Sequence, residues 1–377
     1  TCLTGPRGEV CDHMWCDDRM REAILLVGGQ GTRLRPLTLS TPKPMLPVAG
    51  VPLAVHQIER ARDAGVERIV LGTSYRAEVF AEHLGDGRDL GVEIAYAVEV
   101  DPLGTGGAIR NAAAHLTCGP DDPVMVLNGD VLSGVDYAGL IEGHVRSGAV
   151  VTLHLVRVED PSAYGLVPTD EQGRVLAFRE KPTTAEEIIT DQINAGCYVF
   201  RRSAIDAIPT GRVVSVERDT FPALLADGAH MRGVVDDSYW LDLGTPWDFI
   251  RGSVDLVRGI APWPGHAPAV SLVLDDAVVD EGADVGGGTT VGRGCRVAAG
   301  AVVQGSVLLD GAVIGPAAVV TDSVIGAGAM IEAGAVVAGC VIGDGARVGT
   351  GNELRAGARI WPDVVLPPTS VRFSTDA

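Results

Sequence analysis

Residues 269–366 carry aliphatic side chains at a six-residue spacing, which few folds can accommodate. Neither the 3.6-residue period of a helix nor the alternation of a plain strand produces that spacing. Gly and Ala fill many intervening positions, and the frame slips near Leu309 before it resumes. The aliphatic positions are Val273, Val279, Val285, Val291, Val297, Val303, Ile314, Val320, Ile325, Ile331, Val337, Ile342, Val348, Leu354 and Ile360. We therefore expect a left-handed parallel β-helix of hexapeptide repeats, with a Val- and Gly-rich sandwich as the alternative.

The chain before this repeat is organised differently, because apolar runs alternate there with helical patterns. The predicted strands are 23–27, 68–71, 92–98, 124–127 and 175–178, and the predicted helices are 51–64, 77–84 and 106–116. This order favours an α/β domain with a Rossmann-like, mostly parallel sheet and helices on both faces. Ligands of such sheets bind at the carboxyl ends of the strands.

A length of 377 residues is enough for two domains. The predicted divisions are a disordered extension at 1–20, the α/β domain at 21–260, a Pro-rich linker at 261–268, the β-helix at 269–366 and a tail at 367–377. Cys11, His13 and Cys16 in the extension lack a visible fourth ligand nearby, which argues against a zinc site. Met20 directly precedes the first strand, so we expect the fold to begin there.

The formal net charge of −19 argues against nucleic acid or an anionic membrane surface as a partner. Any phosphate site must therefore be built from local cations, backbone N–H groups and metal. No apolar run reaches the roughly 18 residues of a transmembrane helix, and the polar start of the chain does not resemble a signal peptide. The seven cysteines are scattered without a CxxC pair, so we expect reduced thiols and a cytoplasmic protein.

A glycine-rich loop follows the first predicted strand, and cations accompany it. Lys43 lies between two prolines that hold it in an extended segment. Loop N–H groups and nearby cations are what a triphosphate requires when pyrophosphate leaves, whereas a glycine turn with surface cations is the alternative interpretation. The loop residues of interest are Val27, Gly28, Gly29, Gly31, Thr32, Arg33 and Arg35.

Further motifs follow the loop in a fixed order. They are Asp-Pro-Leu-Gly-Thr-Gly-Gly at 101–107, Leu-Asn-Gly-Asp at 127–130, Glu-Lys-Pro at 180–182, Ile-Asn-Ala-Gly-Cys-Tyr at 193–198 and Tyr-Trp-Leu-Asp-Leu-Gly-Thr-Pro at 239–246. With residues 26–45, they resemble the signatures of the sugar-nucleotidyltransferase family, the nucleotide-diphospho-sugar pyrophosphorylases. The resemblance covers roughly residues 22–360, and hexapeptide tails occur in several branches of that family.

The resemblance implies a Mg²⁺ site formed by Asp130 and Asp242. Mg²⁺ takes one or two carboxylates together with phosphate oxygens. The residues alone leave other interpretations open, because Asp130 fits a helix cap or turn and spacing alone would make Asp242 a turn residue.

The resemblance also implies roles for two groups of substrate-binding residues. The implied nucleotide-binding residues are Val27, Gly28, Gly29, Gly31, Thr32, Arg33, Asp101, Gly104, Thr105, Asn128 and Asp130, and the implied sugar-phosphate-binding residues are Gly165, Glu180, Lys181, Asn194 and Trp240. Arg33, Lys43 and Lys181 are the implied catalytic cations. A surface charge pair remains an alternative for Glu180 and Lys181, and packing in the core remains an alternative for Trp240.

Within the family, the resemblance is greatest to the branch that transfers GMP from GTP to mannose 1-phosphate, giving GDP-mannose and pyrophosphate. The segments that carry it are 102–105, 191–196, 214–218 and 240–244. Asp101 departs from that branch, which usually carries Glu there. A homo-oligomer is expected because a β-helix must protect its ends.

Several alternatives share most of these motifs. One is the use of dTTP or ATP with glucose 1-phosphate, and another is a bifunctional acetyltransferase with the same kind of tail. Acetyl transfer needs a His in the coil, and no His follows His266. A non-catalytic homologue is the third alternative, although the implied catalytic charges are all present.

Overall fold

The computed structural model describes residues 21–74 and 76–372. The predicted N-terminal extension, with Cys11, His13 and Cys16, lies outside the described residues, as do Cys2 and the last five residues of the predicted tail. The described cysteines Cys118, Cys197, Cys295 and Cys340 are free thiols. No helix in the described part of the chain is long and apolar enough to span a bilayer.

Strands and helices alternate through the first domain. The strands are β1 (Arg21–Leu26), β2 (Pro47–Val48), β3 (Val51–Pro52), β4 (Val66–Thr73), β5 (Glu93–Val98), β6 (Pro123–Asn128), β7 (Val131–Ser133), β8 (Val151–Arg157), β9 (Gly165–Leu166), β10 (Arg179–Glu180), β11 (Gln192–Arg201), β12 (Met231–Val235) and β13 (Trp240–Asp242). The α-helices are α1 (Leu53–Asp63), α2 (Ala77–Leu84), α3 (Gly104–Ala112), α4 (Tyr137–Ser147), α5 (Arg202–Asp206), α6 (Phe221–Ala226) and α7 (Pro246–Val257). Short 3₁₀ turns at Thr32–Leu34, Leu37–Leu39, Lys43–Met45, Arg88–Leu90, Ala113–His115 and Ala185–Glu187, and a π turn at Val216–Thr220, complete the set.

The main sheet has the order β12-β8-β11-β6-β1-β4-β5, with β9 and β10 continuing from β11. Strands β6, β1, β4 and β5 are parallel, while β11 runs antiparallel to both β6 and β8. The expected mixed, mostly parallel sheet is therefore confirmed.

Alternation along β1 divides the hydrophobic core between the two faces of the sheet. Ile24 packs with residues of α3, α5 and α6, whereas Ala23 and Leu25 pack with residues of α1, α2 and α4. Because both faces are covered by helices, the central strands read as continuous apolar runs in the sequence.

Two predicted elements differ from the structure. The helix predicted at 106–116 begins at Gly104 and tightens into a 3₁₀ turn at Ala113–His115. The strand predicted at 175–178 is wrong, because the paired segment is β10, which follows it. Val175 forms an isolated antiparallel bridge with Thr169, and Val175 and Phe178 are buried in the core, so packing explains more of this apolar run than strand pairing does.

The second domain is a parallel β-helix of three stacked sheets, as expected. Its strands are β14 (Ser271–Val273), β15 (Val278–Val279), β16 (Asp284–Gly286), β17 (Thr289–Val291), β18 (Arg296–Val297), β19 (Val302–Gln304), β20 (Val307–Leu308), β21 (Val313–Ile314), β22 (Val319–Thr321), β23 (Val324–Ile325), β24 (Met330–Ile331), β25 (Val336–Ala338), β26 (Val341–Ile342), β27 (Arg347–Val348), β28 (Glu353–Leu354), β29 (Arg359–Ile360) and β30 (Val365–Leu366). Every third strand joins the same sheet, and all pairs are parallel.

The slip in the six-residue frame has a structural cause. Val303 is paired with Val320 and Leu308 with Ile325, a step of 17 residues per coil. One face of each such coil is therefore a residue shorter than the others. Leu308 belongs to the β-helix core, whereas Leu309 packs in the cluster shared with the first domain.

A polar ladder lies at the short corner of these coils. Thr289, Ser306, Ser323 and Cys340 are stacked 17 residues apart and fully buried. The backbone N–H of Ser306 donates to the Thr289 hydroxyl at 3.2 Å, and that of Ser323 donates to the Ser306 hydroxyl at 3.2 Å. The N–H of Cys340 donates to the Ser323 hydroxyl at 3.0 Å. Each hydroxyl thus satisfies a buried donor of the next coil.

The two domains share a hydrophobic cluster. Phe249 and Leu256 of α7 pack in this cluster with Val307, Val324 and Val341 of the β-helix. The five side chains are nearly or fully buried, so the β-helix is docked on the first domain by apolar packing.

Candidate active site

Asn128 ends β6 and Asp130 follows in the next turn, and hydrogen bonds from three other segments hold this part of the chain. The N–H of Gly129 donates to the carbonyl of Leu26 at 2.8 Å, and the carbonyl of Asp130 accepts from the N–H of Leu243 at 3.0 Å. The buried amide of Gln57 on α1 donates to the carbonyls of Asn128 and Val131, both at 2.8 Å. These bonds fix the carboxyl end of the central strand. The sequence analysis gave Gln57 no role.

The glycine-rich loop after β1 folds tightly against Lys43. Gly31 has a φ of +57°, and a Cβ added there would lie 2.9 Å from Cγ2 of Thr38 and 3.0 Å from Cβ of Lys43. Only glycine adopts this backbone at low cost while leaving room for its neighbours. The loop therefore packs directly against Lys43, whose Nζ reaches Asp130 at the carboxyl end of β6.

Lys43 joins the two aspartates that the resemblance pairs. Its Nζ lies 2.9 Å from Oδ2 of Asp130 and 3.6 Å from Oδ1 of Asp242. Asp242 reaches this position because β13 pairs with β7, placing it opposite Val131. The two carboxylates are 112 residues apart in the sequence and meet at one buried cation.

The environment of Asp242 fits a divalent cation. Burial raises the pKa of this carboxyl, as does the neighbouring Asp130, whereas Lys43 and Arg33 oppose the rise. Its Oδ1 atom is buried without a hydrogen-bond partner. No three His, Cys, Asp or Glu side chains form a metal cage within residues 21–74 and 76–372. Two carboxylates leave the remaining positions for phosphate oxygens and water, which is how Mg²⁺ is commonly held.

A first cavity of about 310 Å³ opens between the glycine-rich loop and the start of α3. The implied nucleotide residues that line it are Val27, Gly28, Gly29, Gly104, Thr105, Asn128 and Asp130, and Lys43 lines it as well. Much of this lining is glycine, which lets the backbone approach a ligand closely. Gly31, Thr32, Arg33 and Asp101 do not line this cavity.

Glu99, rather than Asp101, presents a carboxylate to the first cavity. Asp101 is exposed, whereas Glu99 is partly buried and lines the cavity. Oε2 of Glu99 accepts from the N–H of Leu103 at 3.3 Å, and Oε1 is buried without a partner. Burial raises the pKa of Glu99, which the N–H of Leu103 opposes. The sequence analysis missed Glu99, which comes two residues before the motif it examined.

A second cavity of about 550 Å³ adjoins the first and shares Asn128 and Asp130 with it. All the implied sugar-phosphate residues line it, namely Gly165, Glu180, Lys181, Asn194 and Trp240. A Cβ added at Gly165 would lie 2.8 Å from Oε2 of Glu180. The glycine thus leaves the space in which the Glu180 carboxylate lies.

Arg33 lies in this second cavity, on the side of Asp242. A Cβ added at Gly244 would lie 2.9 Å from Nη2 of Arg33 and 3.0 Å from Oδ2 of Asp242. Although Arg33 belongs to the glycine-rich loop, its side chain lies beside Asp242, close to the junction of the two cavities. Arg33, which the resemblance implies for the nucleotide, thus lies in the second cavity beside Asp242 and not in the first.

Glu180 and Lys181 form an ion pair at the wall of the second cavity. Nζ of Lys181 lies 3.8 Å from Oε1 of Glu180, and the Lys181 side chain is 62% exposed. Lys181 has a φ of +48°, a strained backbone of the kind that concentrates at functional sites. Burial raises the pKa of Glu180, and Glu217 raises it further, whereas Lys181 opposes both.

Asn194 and Trp240 are fixed by their own partners. The Asn194 amide donates to the Tyr198 hydroxyl at 2.7 Å and accepts from the N–H of Gly196 at 3.1 Å. The indole Nε1 of Trp240 donates to the carbonyl of Ala195 at 2.9 Å. Trp240 is therefore both anchored in the wall and part of the cavity lining.

Glu217 connects the two cavities and was assigned no role from the sequence. Its Oε2 accepts from the hydroxyls of Thr105 at 2.7 Å and Ser215 at 2.8 Å. Thr105 Oγ1 in turn accepts from the N–H of Val216 at 2.9 Å. Thr105 lines the first cavity and Glu217 the second. The signal available in the sequence was the segment 214–218, noted there only as typical of one branch.

Comparison with known proteins now identifies the family. Residues 22–259 match the model of the family described as nucleotidyl transferase. This chain belongs to the nucleotidyl transferase family. Residues 269–372 match the model described as the GMPPB C-terminal domain. The family expected from the motifs is confirmed.

Among curated relatives, the mannose-1-phosphate guanylyltransferase of Mycobacterium tuberculosis is 59% identical over 266 residues, or 70% of this chain and 72% of that protein. The mannose-1-phosphate guanylyltransferase catalytic subunit beta of Drosophila pseudoobscura pseudoobscura is 41% identical over 231 residues, or 61% of each. Among solved structures, HddC from Yersinia pseudotuberculosis superposes with a TM-score of 0.54 at 30% identity, covering 63% of this chain and 100% of that one.

Proposed function

We propose that this nucleotidyl transferase is a mannose-1-phosphate guanylyltransferase. It transfers GMP from GTP to α-D-mannose 1-phosphate in a Mg²⁺-dependent reaction, giving GDP-mannose and pyrophosphate. The supporting observation is the pair of adjoining cavities that share Asn128 and Asp130 and carry separate cations. The names of the similar proteins support the choice of substrates.

The first cavity suits a guanine nucleotide. The glycine-rich loop offers backbone N–H groups to phosphates, and Glu99 offers an unpartnered carboxylate oxygen to a base. Guanine carries adjacent N–H donors at N1 and at its exocyclic N2, which one carboxylate can accept together. Adenine and thymine do not present that pair of donors.

The second cavity suits a sugar phosphate. Lys181 provides an exposed cation for the phosphate, while Glu180 and Glu217 provide acceptors for hydroxyl groups. The Asn194 amide already bonds Tyr198 and Gly196. It can bind a sugar hydroxyl only through its second N–H or the second lone pair of its oxygen. Trp240 and Tyr164 meet edge to face at 5.5 Å and close the apolar side.

The reaction is an in-line displacement at the α-phosphorus. A phosphate oxygen of mannose 1-phosphate forms the new P–O bond while the bond to the β-phosphate oxygen breaks, and pyrophosphate departs with its electron pair. Lys181 orients the nucleophile, and Lys43, Arg33 and the loop N–H groups stabilise the charge on the leaving group. A sugar phosphate is already an anion, so no side chain needs to remove a proton.

Asp130 and Asp242 would hold the Mg²⁺ ion, which when bound supplies positive charge at the α-phosphate. In the structure described here, Lys43 contacts both carboxylates. The same lysine therefore limits the repulsion between two aspartates that must lie close together.

Pyrophosphate release measured over a grid of four NTPs and several sugar 1-phosphates tests the proposal. We expect GTP with mannose 1-phosphate to give the highest kcat/KM, with no release when Mg²⁺ is chelated. A higher kcat/KM for dTTP or ATP with glucose 1-phosphate would overturn the choice of substrates. The absence of release from every pair would overturn the proposed activity.

We also propose that the protein is cytoplasmic and forms a homo-oligomer. We further propose that the first domain ends near residue 260 and that the β-helix begins near residue 269. The free thiols at Cys118, Cys197, Cys295 and Cys340 suit a reducing compartment. Exposed apolar side chains at Trp361 and Val365 of the β-helix suit a contact with a second copy. Light scattering of the purified protein tests the oligomer, since a monomeric mass would contradict it.

A further inference from the structure

Arg359 of the β-helix contacts the glycine-rich loop of the first domain. Its Nη1 donates to the backbone carbonyl of Arg33 at 2.8 Å and to that of Arg35 at 2.7 Å. The donor follows its acceptors by more than 300 residues and belongs to the other domain. One guanidinium nitrogen therefore bridges two carbonyls of the loop that carries the implied catalytic Arg33.

The hydrogen bonds within the loop do not use these two carbonyls. In the 3₁₀ turn Thr32–Leu34, the carbonyls that accept backbone bonds are those of Gly31 and Thr32. The carbonyls of Arg33 and Arg35 come next and face the β-helix. A charged donor suits them, because hydrogen bonds to ionised groups are stronger than neutral ones.

A second polar contact ties down the far end of the same segment. The hydroxyl of Ser40 donates to Oδ2 of Asp344 at 2.6 Å, and Oδ1 of Asp344 accepts from the N–H of Ala327 in the adjacent coil at 2.9 Å. Between the two contacts, Leu34 and Leu37 are buried in the cluster shared by the domains. This segment is thus tied to the β-helix at Arg33, Arg35 and Ser40.

We propose that Arg359 is a positioning residue for the nucleotidyl transfer reaction, acting through the backbone of the loop on the Arg33 side chain. The inference rests on the proposed function, which gives Arg33 its role at the junction of the cavities. The apolar packing that holds the domains together does not include Arg359, because the hydrophobic cluster is buried between α7 and the β-helix. The role of Arg359 is to fix the loop so that the Arg33 side chain stays beside Asp242, at the junction of the two cavities.

The test compares Arg359→Met with Arg355→Met in the full-length protein. Arg355 lies in the same coil, and its guanidinium is 4.0 Å from Glu353 of the β-helix. We expect Arg359→Met to lower kcat/KM for GTP about tenfold, as misplacement of a charged catalytic group does. Arg355→Met should leave it unchanged, and Arg359→Lys should recover part of the loss. Because Arg359 is an exposed residue, the thermal unfolding midpoint should stay close to that of the unmodified protein.

A double-mutant cycle with Arg33→Ala separates positioning from a merely structural role. If Arg359 acts through Arg33, the loss caused by Arg359→Met should shrink when Arg33 is already absent. The inference would be overturned if Arg359→Met lowered kcat/KM by the same factor with and without Arg33. It would also be overturned if Arg359→Met had the same kcat/KM as the unmodified protein. Calorimetric titration with GTP, which needs no turnover, should also show weaker binding in Arg359→Met, and equal binding would count against it.

These outcomes are distinct from a failure of the proposed function. An unmodified protein that releases no pyrophosphate from any substrate pair would overturn the proposed activity. An active unmodified protein whose Arg359→Met variant behaves identically would overturn only the role of Arg359.

Discussion

The two cavities share Asn128 and Asp130 but are otherwise lined by different kinds of residue. The first has several glycines in its wall, among them Gly28, Gly29 and Gly104. The second gathers more charged groups, among them Arg33, Glu180, Lys181, Glu217 and Asp242. Single substitutions should therefore be more damaging at the junction and in the second cavity than in the first.

The largest effect is expected at the junction. Asp130→Ala removes a carboxylate that lines both cavities and pairs with Lys43. We expect turnover to fall by at least ~10²-fold, which corresponds to about 2.7 kcal/mol of transition-state stabilisation. Asp121→Ala, an exposed aspartate just before the same strand, is the control. Near-normal turnover in Asp130→Ala would show that the two cavities do not work together.

Lys181→Met tests the second cavity alone. Loss of the implied phosphate cation should raise the KM for mannose 1-phosphate and lower kcat/KM roughly 10²-fold, with a smaller change in the KM for GTP. Arg179→Met, which removes an exposed cation two residues away, should have little effect. Equal changes in both KM values would contradict the division between the cavities.

The lysine content of the chain gives an independent readout of the same prediction. Lys43 and Lys181 are the two lysines in the sequence, and their side chains are 10% and 62% exposed. An amine-directed reagent should therefore modify Lys181 first. Mannose 1-phosphate should slow that modification, as followed by peptide mass spectrometry.

Glu99→Gln tests the first cavity, where we expect a change in selectivity rather than a loss of the reaction. Replacing the carboxylate removes one acceptor for the paired donors of guanine, so the preference for GTP over ATP should fall about tenfold. Asp101→Asn makes the same chemical change at the exposed position two residues away. Loss of preference in Asp101→Asn with none in Glu99→Gln would restore Asp101 as the residue that reads the base.

The smallest effect is expected from pH and concerns Glu180. Burial and Glu217 raise the pKa of this carboxyl, so it takes up a proton at a higher pH than an ordinary glutamate. The carboxylate accepts sugar hydroxyls above that pKa, and the interaction is lost as the pH falls through it. The KM for mannose 1-phosphate should therefore rise a few-fold as the pH is lowered through that pKa. Glu180→Gln should retain only the pH dependence of the substrate itself.

The fold was predicted well from the sequence, and the residues implied for the sugar phosphate lie together in the second cavity, because the signals for both are local. The six-residue spacing marks each β-helix face, and glycines after a strand mark the phosphate loop. Each motif of the sugar side, such as Glu180 with Lys181, carries its own chemistry. The slip near Leu309 was visible, but its cause was not, because the short corner depends on stacking between coils.

The remaining residues depend on contacts between distant segments. Glu217 gains its place from Thr105, 112 residues earlier in the chain. The role of Glu99 depends on a buried oxygen left without a partner, which no motif records. Arg33 was assigned to the nucleotide from its position in the loop, yet its side chain lies beside Asp242. Only the three-dimensional arrangement distinguishes these cases.

The 17-residue coil also affects how the domains align. Val307, Val324 and Val341 are one coil apart and present equivalent side chains to the first domain. Because these side chains are identical and evenly spaced, they do little by themselves to specify which coil faces which part of the first domain. The contact of Ser40 with Asp344 and the contact of Arg359 with the loop do not recur from coil to coil. They therefore help to specify the register between the two domains. The apolar contacts hold the two domains together, and the polar contacts determine how they are aligned.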